Sequence, residues 1–82
     1  MNSAPFRSIG GTVLADHGPI PLGAARNLAR FYASEARHWR DLGSQGAFED
    51  CVHRADVLRD AVAAAETWRR AAGWGDPDAA DR

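Results

Sequence analysis

The sequence predicts a mainly α fold: an antiparallel hairpin of two long helices with a short N-terminal extended or β-ribbon segment. Three observations predict it. Phe48, Cys51, Ala55, Leu58, Val62, Ala65, Arg69 and Ala72 recur at steps of three and four residues, the spacing of one buried stripe on a helix. Ala25, Leu28, Tyr32, Glu35, Trp39 and Leu42 mark a second such stripe upstream, with Phe31 beside it. Between the helices these patterns predict, 21–42 and 46–72, lie only about three residues, and so short a connection forces the helices to be antiparallel neighbours.

Taken in order, residues 1–5 read as a loose terminus. Residues 6–15 form two short runs with β-branched content around Gly10-Gly11, a hairpin-turn signal because glycine tolerates positive φ. Asp16 to Pro21 reads as a connector, since its two prolines disfavour helix in the residues before them. Helix 1 is predicted over 21–42, with Pro21 as its first residue and Gly43 as its C-cap glycine. Ser44 or Gly46 then opens helix 2, predicted over 46–72. Glycines and a proline end it, and residues 73–82 read as a flexible acidic tail. The whole chain, 1–82, reads as one small domain without internal repeats.

The short turn also fixes a register. It opposes Leu42 to Phe48, Trp39 to Cys51, Glu35 to Ala55, Tyr32 to Leu58, Leu28 to Val62, Ala25 to Ala65 and Pro21 to Arg69. Large residues mostly face small ones, as interdigitating helices require. Helix 2 carries a further stripe of Val57, Ala61, Ala64, Trp68 and Ala71. This second side must meet either the N-terminal segment or another copy. Ala61 and Ala64 allow close helix approach, so a homodimer forming a four-helix bundle is expected.

Composition narrows the function classes. The net charge of −1 does not favour nucleic-acid or membrane-surface binding from bulk charge. Cys51 is the single cysteine, which excludes an intrachain disulfide scaffold. No stretch is apolar over the length of a signal peptide or a membrane span, so a cytoplasmic location is the default. All ten basic residues are arginine, which fits the codon bias of a high-GC, bacterial genome and removes lysine chemistry.

Candidate site residues follow from these patterns. Arg26, Arg30, Arg37 and Arg40 fall within roughly an 80° arc on helix 1, read as lying opposite its apolar stripe. Four arginines on one face suit bidentate pairing with a partner's carboxylates or with phosphates. The competing reading is a solvated face tied by local pairs such as Arg37 with Asp41. Trp68, on the second stripe, and Trp74, in a glycine-rich loop, are candidate partner anchors, since tryptophan is enriched at interface hot spots.

Glu35 interrupts the apolar stripe and is read as a register-fixing salt bridge to Arg54 or Arg59 rather than as a catalytic acid. Arg69 interrupts helix 2 in the same way, with Asp16 or the proline-loop carbonyls as companions. Cys51 and His53 point to nearly opposite sides of helix 2, and no CxxC or HxxxH pair exists. No metal or cofactor is therefore expected. No phosphate loop, nucleophile elbow or paired catalytic carboxylates occur, so the chain is read as a non-enzyme.

The order of ribbon and two helices resembles that of ribbon-helix-helix DNA-binding proteins, and Gly18-Pro19-Ile20-Pro21 with Arg26 and Leu28 is similar to swapped-hairpin antitoxins. Helix 1 is about twice the length such a ribbon fold uses, and the ribbon offers only Arg7 for base reading. No family is assigned on these grounds. The expected function is that of a small interaction or regulatory protein that binds an acidic protein partner. The alternative is a small DNA-binding regulator or antitoxin-like protein using the ribbon and the helix 1 arginines.

Overall fold

The structure, a computed structural model, describes residues 5–73. It contains three short strands and two helices: β1 (Phe6–Ile9), β2 (Thr12–Ala15), β3 (Gly18–Ile20), α1 (Leu22–Asp41) and α2 (Gln45–Ala71). The strands form an antiparallel meander in the order β1-β2-β3, with Ile9 opposite Thr12, Phe6 opposite Ala15 and Val13 opposite Ile20. The expected ribbon and helical hairpin are both present, and each helix end lies one residue from its predicted position. Trp74 and the acidic tail lie outside the described residues.

The two central turn glycines serve different purposes. Gly10 alone takes positive φ, +59°, the conformation a type II′ turn requires at its first central residue. Gly11 is there for space: a Cβ on it would stand 2.6 Å from Arg69 Cγ and 3.0 Å from Trp68 Cε3. The sheet thus closes onto the last turns of α2 through the absence of a side chain.

The connector expected over residues 16–21 is corrected by β3, which includes Pro19 opposite Leu14. Proline lacks the amide a central strand needs, but β3 is an edge strand with one side unpaired, where that loss is tolerated. Pro21 then stands immediately before α1 with φ −57° and ψ 145°, and its carbonyl accepts the first helical bond from Ala25 N–H at 2.9 Å. At the other end, Ser44 N–H donates to Trp39 O at 2.9 Å and Gly43 N–H to Arg40 O at 3.0 Å, with Gly43 at φ +78°. This is a Schellman closure, and it turns the chain directly into α2.

The core is built by the sheet and the N-terminal half of the α1 stripe closing on α2. Phe6, Val13, Leu22, Ala25, Ala29, Leu58, Ala61, Val62 and Ala65 form one buried cluster, with Ala15, Ile20, Leu28, Tyr32 and Val57 packed against it. Phe6 meets Tyr32 with ring centroids 6.1 Å apart. The second side of α2 is therefore covered by the sheet at Val57 and Ala61, while Ala64, Trp68 and Ala71 stay exposed.

The buried stripe of α1 differs from the expected one. Leu22, Ala25, Ala29 and Ala36 are buried, whereas Glu35 and Trp39 are half-buried and Leu42 is 64% exposed. The face is rotated by roughly 70° toward the alanines. Small residues let the two backbones approach closely, and this outweighs the larger apolar area of Leu42 at the helix end.

Candidate functional site

That rotation decides where the helix 1 arginines stand. With Ala29 and Ala36 facing inward, Arg26, Arg30, Arg37 and Arg40 flank the buried stripe instead of opposing it. Arg26 is the innermost: its guanidinium pairs with Glu66 of α2 at 2.7 Å, both side chains about 30% exposed. Among the described residues this is the ion pair that joins the two helices, and its members are the residues that follow Ala25 and Ala65 of the predicted layer. The cation–π contact of Arg54 on α2 with the Tyr32 ring of α1, at 5.9 Å, lies one turn from the Tyr32–Leu58 layer.

Glu35 does not fix the register. Arg54 pairs with Asp50 at 3.2 Å and Arg59 with Asp56 at 3.7 Å, each within α2, and Glu35 has no ion pair among the described residues. Hydrogen bonding to Tyr32, then the Asp50 carboxylate, raise the Arg54 pKa above its ordinary value. Arg69 is also placed differently from expectation: its Nε donates to Gly11 O at 2.7 Å, in the β1–β2 turn and not in the proline segment.

Between α1 and α2 lies a groove of about 310 Å³ lined by Arg26, Ala29, Arg30, Arg59, Val62, Ala63 and Glu66. Its floor is apolar and small. Its rims are cationic, Arg30 from α1 and Arg59 from α2, with the Arg26–Glu66 pair at one side. Among the described residues, Arg30 is tethered only by a 3.5 Å contact to Asn27 Oδ1, and Arg59 only by its exposed 3.7 Å pair. Such long contacts hold a guanidinium weakly, so both are available to a stronger carboxylate or phosphate partner.

Arg37 is exposed, and Asp41 is taken by its neighbour Arg40, at 3.7 Å, in place of the expected Arg37 pair. Trp68 is 43% exposed beside Gly10 and Gly11, about 160° around α2 from Glu66. The structure thus brings Arg26 and Arg30 together with Arg59 and Glu66, and leaves Trp68 on a separate surface. Glu66 is not among the residues singled out from the sequence, and Arg59 is read there only as a companion of Glu35 and not as a partner-binding residue. The predicted antiparallel register carries Arg26 toward Ala64, so its pairing with Glu66 follows only once the inward face of α1 is turned toward the alanines; Arg59 lies two turns before Glu66 on the same face.

Among the described residues no group of three or more His, Cys, Asp or Glu could hold a metal ion, and no helix is long and apolar enough to cross a membrane. Cys51 is a half-buried free thiol. By class, the chain is a mainly α protein whose helical hairpin is capped at one end by a three-stranded antiparallel sheet. No family model matches it, and neither a curated protein nor a solved structure does.

Proposed function

We propose that the chain is a non-enzymatic interaction protein that docks an acidic protein partner in the groove between α1 and α2. The observation that carries this reading is the pair of weakly tethered guanidiniums, Arg30 and Arg59, on opposite rims of an apolar floor. A carboxylate entering between them gains charge-assisted bonds from both helices, while an adjacent methylene covers Ala29, Val62 and Ala63. Arg37 and Arg40 extend the same charge along α1.

The DNA-binding alternative needs the ribbon and these arginines on one surface. Tyr32, against which Phe6 of the ribbon packs, lies about 160° around α1 from Arg30 and about 140° from Arg37, so the two regions face different ways. A homodimer belongs to the proposal, with exposed Ala64, Trp68 and Ala71 of α2 meeting a second copy to form a four-helix arrangement. Sedimentation at micromolar concentration is expected to show a dimer; a compact monomer sinks that part.

The docking test is affinity capture from native cells after nuclease treatment, comparing the chain with an Arg30→Glu plus Arg59→Glu variant. The partner is expected to be lost from the variant and to elute early in a salt gradient. Capture unaffected by the double reversal overturns the groove, and retention on DNA at low salt that disappears with Arg30→Ala plus Arg37→Ala supports the alternative instead.

A further inference from the structure

The sheet covers one side of the hairpin, and the groove opens on the other. Helical geometry continues the groove lengthwise: Ala33 and Arg37 follow Ala29 and Arg30 on α1, while Ala55 and Val52 follow Val62 and Arg59 on α2. The result is a strip with a small apolar centre, bounded along α1 by Arg26, Arg30 and Arg37. Two antiparallel helices with such a strip between them present the seat that a third helix takes in a helical bundle.

Resting on the acidic-partner reading, we propose that the docking element is an amphipathic α-helix with acids along one flank of its apolar stripe. The charges select this occupant. Arg30 lies four residues and Arg37 eleven residues beyond Arg26, spacings that keep all three on one face. A helix lying beside α1 matches them with carboxylates recurring at similar intervals of four and seven. The floor residues Ala29 and Ala63 allow an approach close enough for the apolar stripe to reach Val62. A second copy of the chain is a poorer occupant of this seat, because the same strip would set arginine against arginine across a two-fold axis.

The test uses three fluorescein-labelled synthetic peptides of about 21 residues. One carries a leucine stripe flanked by glutamates at intervals of four and seven. The second has lysine in place of each glutamate. The third keeps the glutamates but carries two central prolines, which break the helix. Fluorescence anisotropy with the full chain is expected to show saturable binding of the glutamate helix. The lysine and proline peptides are expected to bind at least tenfold more weakly. Arg30→Glu plus Arg37→Glu should invert the preference toward the lysine peptide, with the far-ultraviolet spectrum confirming that the variant folds. Equal binding of the glutamate and proline peptides overturns the helical occupant while leaving the acidic partner standing. Equal binding of the glutamate and lysine peptides, or no binding of either, overturns both.

Discussion

Arg69 and Gly11 tie the sheet to the end of α2. The guanidinium donates to the Gly11 carbonyl at 2.7 Å, and its aliphatic stem occupies the space a side chain at position 11 would take. Gly11→Ala must displace that stem or break the bond, and a loss of about 1–3 kcal/mol is expected in urea unfolding. Leu58 is fully buried at the meeting of both helices and the sheet. Leu58→Ala should cost about 2–5 kcal/mol by the same measurement, since the cavity is closed on every side. Arg26 and Glu66 form an inter-helix ion pair, but each is about 30% exposed. A double-mutant cycle with alanine at both positions is expected to give a coupling of at most about 1 kcal/mol that shrinks as salt rises.

At the scale of the elements, legibility depended on how strong each local signal was. Gly10-Gly11 announced a two-residue hairpin turn, and Gly43 announced the end of α1, because both need backbone conformations that few residues adopt. β3 was hidden, because Pro19 signals a loop and only the sheet's edge makes it acceptable in a strand. The inward face of α1 was misread for a different reason. Leucine, tryptophan and tyrosine weigh more than alanine in a periodicity reading, yet backbone approach is decided by the smallest residues in the contact. Ala36→Leu should therefore destabilise the hairpin by about 1–3 kcal/mol in thermal or urea unfolding, whereas Leu42→Ser should change stability by less than about 0.5 kcal/mol. The reverse ranking would restore the face read from periodicity. The arginine cluster was legible as a charged row, but its partners on α2 emerge only when the stripe is turned to its true angle.

For the molecule as a whole, the sheet replaces the second copy as the cover of α2 around Ala61. Phe6 and Val13 supply that cover from strands only four residues long, which have no stability of their own in water. Sheet and hairpin are thus mutually dependent. A chain beginning at Asp16 should retain helical circular dichroism but lose its cooperative thermal transition, since Val57 and Ala61 would face solvent and Leu58 would lose the cover of Phe6 and Val13. A sharp transition in that shortened chain would show the helices to be self-sufficient.

The described residues extend over 45 Å, and their main hydrophobic cluster occupies only the part of the hairpin beneath the sheet. Beyond it, toward Gly43, the buried residues of the two helices are the small Ala36 and Ala55, with Trp39, Phe48 and Cys51 half-buried. Amide protons should record this asymmetry as a gradient. Those near Leu58 and Val62 are expected to exchange with deuterium only on global unfolding, while those of the last turn of α1 and the first turns of α2 exchange through local opening, orders of magnitude sooner. The far tip then acts as a separate, low-stability unit that can fray and reclose while the covered end stays intact.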